Sequence, residues 1–231
     1  MRVAHWVDDA IRLLAPERCV WCGSADAAEG VCEGCKAELP WNRVACPSCA
    51  QPMPVIATCA KCLRRPPAFD SAWTAFIHIE PVRRGVHRLK YGAQFEQSRV
   101  LGTLMGRQAA SRGAPLPDLL IPVPLPRRRM FQRGYNQAQE LARAVSRACG
   151  TPIDAGAAVL VRSPGDQIGQ TAAQRRRNLR GAFRIERNLQ GRHVALIDDV
   201  MTTGATLDAL ARAARRSGAA KVEAWALARA P

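Results

Sequence analysis

Aromatic residues make up only 5% of this 231-residue chain, lysine and histidine occur four times each, and its apolar runs are short. Each shortage narrows the field. No window approaches the ~18 uninterrupted apolar residues of a membrane-spanning helix. "MRVAHWVDDAIRLLAPERC" carries Asp8 and Asp9 where a secretory signal would be apolar. The first 18 residues read as an N-terminal helix, and the cytoplasm is the expected compartment. His5, His78, His87 and His193 form no constellation with Ser, Asp or Cys, so each reads as structural and no hydrolase-type nucleophile emerges. Rings are scarce and several must fill the core. Base stacking would therefore rest on the few that stand near basic residues: Trp73, Phe76, Tyr91, Phe95, Phe131 and Tyr135.

Acid is also scarce, with 19 Asp+Glu against 34 Lys+Arg and a net charge of +15. Residues 1–66 are nearly balanced at +1, whereas residues 67–231 carry +14. Thirty of the cations are arginine, and "RRR" occurs twice, at Arg127–Arg129 and Arg175–Arg177. A basic surface of this extent favours polyanions, either nucleic acid or a small phosphorylated ligand. The apolar share of 48% is ordinary for a globular chain with a core.

Cysteine is abundant and patterned. "CVWCGSADAAEGVCEGC" from Cys19 and "CPSCAQPMPVIATCAKC" from Cys46 both read C-x2-C-x9-C-x2-C, in register 27 residues apart. A C-x2-C pair turns tightly enough to place two thiolates on one metal, and two pairs complete the tetrahedral all-sulfur shell that suits zinc. Two structural zincs are expected, one on Cys19, Cys22, Cys32 and Cys35, the other on Cys46, Cys49, Cys59 and Cys62. Each repeat is self-sufficient, although the spacing is also compatible with interleaved pairing. The module spans 19–66, and the double proline of "LRRPPAFD" marks the start of a second domain over 67–231. Cys149, at the end of a helical pattern, reads as a small buried apolar residue.

Beyond residue 70, short apolar runs alternate with helical patterns. Strands are predicted in "SAWTAFIHI" (71–79), "DLLIPVP" (118–124), "AAVLVR" (157–162), "GRHVALIDD" (191–199) and "KVEAWALARA" (221–230). Helices are predicted over 98–112, 136–150 and 204–219. This alternation implies an α/β body with a parallel sheet flanked by helices, whose ligands bind beyond the strands' carboxyl ends. "ALIDDVMTTGAT" (195–206) lies at such an end. Asp198 and Asp199 close a strand; Thr202, Thr203, Gly204, Ala205 and Thr206 open a helix whose N–H groups and hydroxyls make a phosphate cradle. Two acids above a phosphate cradle make sense if they hold the rest of the same ligand, through sugar hydroxyls or a Mg2+. The ligand implied is a sugar phosphate.

"VALIDDVMTTGAT" resembles the phosphoribosyl pyrophosphate (PRPP) signature of type I phosphoribosyltransferases. The rest of the chain resembles the ComF-like branch, linked to DNA uptake and competence. That likeness is carried by the paired cysteine knuckles, "KYGAQFE" (90–96), "PVPLPRRRMFQRGYNQAQELA" (122–142) and "GQTAAQRRRNLRGAF" (169–183). It implies a type I phosphoribosyltransferase fold behind a double zinc ribbon. Asp198 and Asp199 are then the catalytic acids on the ribose hydroxyls, Thr202–Thr206 hold the 5′-phosphate, and Mg2+ accompanies PRPP. The loop around 123–129, with Arg127 and Arg128, together with Arg133, Lys90, Arg175 and Arg176, would supply cations to the pyrophosphate. Residues 162–178 would form a covering loop. One departure matters: 6-oxopurine enzymes carry an acid/base aspartate three residues after the second acid, where this chain has Thr202. The resemblance thus implies a glycosyltransferase-type reaction on another acceptor, in the service of DNA uptake or utilisation. The rival expectation is a single-stranded DNA-binding accessory protein with a non-catalytic phosphoribosyltransferase fold. Its partners would be DNA and DNA-uptake proteins.

Overall fold

Four of the apolar runs fold into strands that share one direction. A computed structural model describes residues 18–91, 95–162, 178–179 and 181–231; the expected N-terminal helix and the covering-loop segment 163–177 lie outside them. Two compact units are distinguished, Met1–Leu39 and Pro40–Pro231. In the first, a turn of helix α1 (Glu33–Ala37) follows Cys32, whose sulfur caps it.

In the second unit, a short helix α2 (Ala60–Arg64) precedes β1 (Ser71–Ile77). Helices α3 (Val82–Tyr91) and α4 (Phe95–Ser111) then lead to β2 (Leu119–Pro122). Next come α5 (Arg127–Arg133), α6 (Gln137–Cys149), β3 (Ala158–Leu160) and β4 (Phe183–Ile185). The chain ends with β5 (His193–Met201), α7 (Ala205–Arg216) and β6 (Lys221–Arg229). The main sheet is fully parallel in the order β1-β6-β5-β2. Among the described residues no helix is long and apolar enough to cross a membrane.

Burial explains the order. Strand β6 is buried at every residue from Val222 to Arg229, as a central parallel strand covered on both faces must be. Its side chains alternate. Ala224 and Ala226, with Val194 and Leu196 of β5, join the cluster that contains Leu207, Leu210 and Ala211 of α7. The alternate set, Ala195, Ile197, Trp225 and Leu227, is buried too, and it faces the side where α4 and α6 lie. Small residues let those two helices meet. A Cβ on Gly102 would stand 2.6 Å from Ala144 Cβ, and one on Gly106 would stand 2.7 Å from both Ala148 Cβ and the Val145 carbonyl oxygen.

At the amino-terminal end of β6, the carboxylate of Glu223 is 3% exposed. It meets Lys221 Nζ at 2.9 Å, His193 Nε2 at 3.0 Å and Arg112 Nη2 at 3.3 Å, and accepts a 2.7 Å bond from Trp225 Nε1. Arg112 lies 4.7 and 4.8 Å from the ring centroids of Trp73 and Trp225. Burial alone would raise the Glu223 carboxyl; Lys221, the indole donor and Arg112 outweigh it and bring it down to about 2.

Two features depart from the expected pattern. The "AAVLVR" strand does not join the parallel sheet: β3 pairs antiparallel with β4 as a separate two-stranded element. At three residues each, β3 and β4 pair with one another and stand outside the parallel sheet. The segment after β2 is helical from Arg127 onward, because Arg, Met and Gln are good helix formers and Pro126 precedes the first turn.

The close helix contact yields a test. Gly106→Ala forces its new methyl against backbone and should destabilise the protein by about 1–3 kcal/mol. In a chain of this size that lowers Tm by roughly 2–12 °C, read by calorimetry, with zinc content unchanged. An unshifted Tm would mean that the two helices can separate without loss.

Candidate functional site

The eight knuckle cysteines gather into two groups, Cys19/Cys22/Cys32/Cys35 and Cys46/Cys49/Cys59/Cys62, with all sulfurs of a group within 4.8 Å of one another. Four sulfurs on zinc at ~2.3 Å stand ~3.8 Å apart in a tetrahedron. Two of the pairs, Cys22–Cys32 at 3.6 Å and Cys49–Cys59 at 3.7 Å, match that spacing. Each knuckle turns through a left-handed residue after its second cysteine, Gly23 in one and Ala50 in the other, whose N–H bonds the first cysteine's carbonyl at 2.8 Å. Burial opposes ionisation of Cys19 and Cys59. Backbone N–H donors and then neighbouring sulfurs outweigh it in both and bring them to about 6 and about 7. Burial and the crowded sulfurs push Cys35 and Cys62 up. Four thiolates so close need a dication between them, and both clusters fit all-cysteine zinc sites.

A second site forms at the carboxyl edge of β5. A cleft of about 300 Å3, open to solvent, is lined by Leu179, Asp198 and Val200–Leu207. Of the two sequence-predicted acids, Asp198 shares this concavity with the Thr/Gly loop, and Asp199 is not among its lining residues. Gly204 caps α7 at φ 75°, a conformation that only glycine adopts without strain. It turns the chain into the first turn of α7, whose residues line the cleft and whose N–H groups have no intrahelical acceptor. Thr203 Oγ1 accepts from the Ala205 N–H at 3.3 Å.

The two acids are not equivalent. Asp199 is 4% exposed, and its Oδ1 accepts from the Val200 N–H at 2.7 Å. Its Oδ2 lies 3.0 Å from Lys90 Nζ of α3, but among the described residues it has no well-aligned hydrogen-bond donor. Asp198 accepts the Asp199 N–H at 2.9 Å. Burial, and then the adjacent Asp199 charge, push its carboxyl from an ordinary 3.8 up to about 8. His78 lies within electrostatic reach of Lys90 and Asp199, and burial followed by the Lys90 charge holds its imidazole below the ordinary range. No sequence signal marks that neighbourhood, since His78 is distant from Asp199 in the chain and belongs to no motif.

The other candidate residues divide. Lys90 joins the site through Asp199. Arg127, Arg128 and Arg133 sit on α5, just past β2, whose end lies against β5: Pro122 pairs with Ile197, and the Val123 N–H donates to the Ile197 carbonyl at 2.9 Å. They share the carboxyl edge without lining the cleft. Arg175 and Arg176 lie outside the described residues. "RGYNQ" (133–137) is the fastening of this edge. The Tyr135 hydroxyl donates to the Leu89 carbonyl beside Lys90, and Asn136 caps α6 while its Nδ2 donates to the Val123 carbonyl at 3.0 Å.

The strained acid pair has a consequence for stability. A carboxyl whose folded pKa is raised makes the native state bind a proton more tightly than the unfolded chain. Stability is therefore unaffected below pH ~4 and falls as pH rises toward about 8. Asp198→Asn removes that titration and keeps the acceptor for the Asp199 N–H. Compared with the parent, the variant should gain stability between pH 5 and 8, by about 2 kcal/mol at the upper end after solvent screening. Melting curves of both proteins across that range measure it; parallel curves would refute a strained pair.

Comparisons with known proteins agree with this architecture. The double zinc ribbon domain model matches residues 10–63, and the phosphoribosyl transferase domain model matches residues 132–231. DNA utilization protein YhgH of Escherichia coli O157:H7 is 35% identical over 209 residues, covering 87% of this chain and 90% of that protein. Competence protein F of Haemophilus influenzae is 34% identical over 225 residues, covering 92% and 97%. The glutamine PRPP amidotransferase of Bacillus subtilis matches 60% of this chain and 30% of its own, at 20% identity and a TM-score of 0.41. With a relative one-third identical along almost its entire length, and a double zinc ribbon ahead of a type I phosphoribosyltransferase body, this chain belongs to the ComF family.

Proposed function

We propose that the β5–α7 corner binds PRPP with Mg2+ and that the protein uses this ligand in DNA uptake or utilisation, as the names of its relatives suggest. The observation that carries the reading is the single cleft lined by both Asp198 and the Thr202–Thr206 loop. In this reading the loop N–H groups and hydroxyls hold the 5′-phosphate and the acids hold the ribose diol. Asp199 Oδ2, buried and short of a hydrogen-bond donor, fits a ribose hydroxyl or a cation. Mg2+ would be held by the acid pair together with the ligand's own oxygens, and would neutralise charge on the departing pyrophosphate. In the transfer, the bond from the anomeric carbon to pyrophosphate breaks, pyrophosphate leaves with the electron pair, and an acceptor nucleophile bonds to that carbon. Thr202 in place of an acid argues for an acceptor other than a 6-oxopurine. Lys90, paired with Asp199, keeps that acid oriented and its charge compensated before the ligand arrives.

Titration calorimetry with PRPP and Mg2+ tests the reading. The parent should bind and Asp199→Asn should lose binding by at least tenfold, while both retain two zinc equivalents. Pyrophosphate release with a supplied acceptor would mark turnover. Parent protein that takes up no PRPP overturns the proposal.

A second reading rests on Phe131, which is 88% exposed on α5 between Arg127–Arg129 and Arg133. A bare ring on an arginine helix is what a single strand would use for stacking, with cations on its phosphates. Single-stranded DNA affinity should then fall with salt at a log–log slope of about −0.7 per phosphate engaged. Phe131→Ala should weaken it by roughly 1–3 kcal/mol and leave PRPP affinity unchanged. Salt-independent binding, or no effect of the substitution, would eliminate this surface.

A further inference from the structure

Arg229 is a cation in the most buried strand of the sheet, 4% exposed, and it does not line the cleft. Four of its hydrogen bonds go to main-chain carbonyls, and its guanidinium also meets the Cys49 side chain. Nη1 donates to Met201 at 2.9 Å, to Thr202 at 2.5 Å and to Ala230 at 2.7 Å, while Nε donates to Cys49 at 3.0 Å. Met201 and Thr202 open the cleft-lining loop, and Cys49 belongs to the second cysteine cluster. One guanidinium therefore joins a zinc knuckle to the loop that precedes α7.

Peptide geometry gives this contact a direction. Among the described residues the Glu80–Pro81 bond is the cis peptide, so those between Met201, Thr202 and Thr203 are trans. In a trans unit the N–H points opposite to the carbonyl. Turning the Met201 and Thr202 carbonyls toward Arg229 turns the N–H groups of Thr202 and Thr203 away from it. The Met201 carbonyl is fixed a second time by the Ala230 N–H at 3.0 Å. On the other side, the knuckle is bound to the sheet independently of Arg229. The Ala72 N–H donates to the Pro47 carbonyl at 2.9 Å, and Asn42 Nδ2 donates to both the Ala50 carbonyl at 2.8 Å and Thr74 Oγ1 at 2.7 Å.

We infer that Arg229 is the positioning residue of the phosphate-binding loop, and that the Cys46/Cys49/Cys59/Cys62 knuckle holds it in place. Metal at this closed, non-catalytic centre thereby sets the orientation of the amides that meet the phosphoryl group. The inference rests on the reading of the corner as a 5′-phosphate site. It adds that the second zinc serves ligand binding and not the fold alone, with the first cluster having no part in it.

The test separates this inference from that reading. Arg229→Lys keeps the charge but cannot span Cys49 and both loop carbonyls with one ammonium. Affinities for PRPP and for ribose 5-phosphate should fall by the same factor, at least tenfold. Affinity for Mg2+–pyrophosphate, which does not engage the loop, should stay within twofold. Without ligand, amide exchange at Thr202–Thr206 should accelerate in the variant while the strand amides of β5 remain protected, a pattern that a general loss of packing would not give. A measurement on the unsubstituted protein covers the case of a variant that fails to fold. By reciprocal linkage, ribose 5-phosphate should slow chelator release of one of the two zincs, with alkylation assigning the protected thiols to Cys46–Cys62. Unsubstituted protein that binds neither sugar phosphate sinks the site reading. If it binds and Arg229→Lys binds equally well, or ribose 5-phosphate protects neither zinc, the positioning role is overturned.

Discussion

The parallel pairing of β5 with β6, buried between layers of helix, is the constraint on which the site depends. Strands covered on both faces leave no water to satisfy polar groups at their ends. At the carboxyl edge the register sets Met201 opposite Arg229 and Ile197 opposite Trp225. The chain must therefore leave the sheet through a turn whose carbonyls find donors inside the protein, and Arg229 supplies them. The same edge carries Asp198 and Asp199 out of an apolar run, where Lys90 reaches them from a neighbouring helix.

The two ends of this strand pair treat acid in opposite ways. Glu223, at the amino-terminal end, is met by Lys221, Arg112, His193 and an indole N–H, and its carboxyl falls to about 2. That arrangement stabilises the fold at neutral pH and is lost progressively as pH falls from about 4.5 toward about 2. Asp198, at the carboxyl end, shares its surroundings with a second acid and a lysine, and rises to about 8. Burial acts on both, so the difference lies in how many cations and donors were placed around each. The more numerous cations and donors around Glu223 are what separates the two values.

These distinctions explain what could and could not be read in the sequence. The cysteine repeat was legible because zinc demands four thiols at fixed spacing. The dodecapeptide was legible because strand, acids, hydroxyls and glycine are contiguous. The strands of the main sheet were legible from their length and apolar content. Helix α3 was missed as an element, since "VRRGVHRLKY" is mostly charged and is interrupted by Gly85, and its burial of Val82, Val86 and Leu89 appears only once the sheet exists. Strand β4, three residues long, has no periodicity to read. The Lys90–Asp199 pair joins residues over a hundred positions apart. Arg229 was hidden by composition: in a chain with thirty arginines, one more at a strand's end looks like surface charge.

The repeat itself carries a further lesson about symmetry. By spacing, the two knuckles are interchangeable, and their turns even share the same left-handed residue position. Their surroundings are not alike. In the second, Ala50 is 1% exposed and belongs to the same apolar cluster as Leu207 and Leu210, and Asn42 and Pro47 bond directly to β1. A closed zinc shell has no catalytic position, and in the second knuckle the Cys49 carbonyl is bonded to the buried Arg229 guanidinium. Ligand count fixes which metal a motif can take. What the metal does for the protein is fixed by the hydrogen bonds that leave the knuckle's backbone, and those depend on the fold around it.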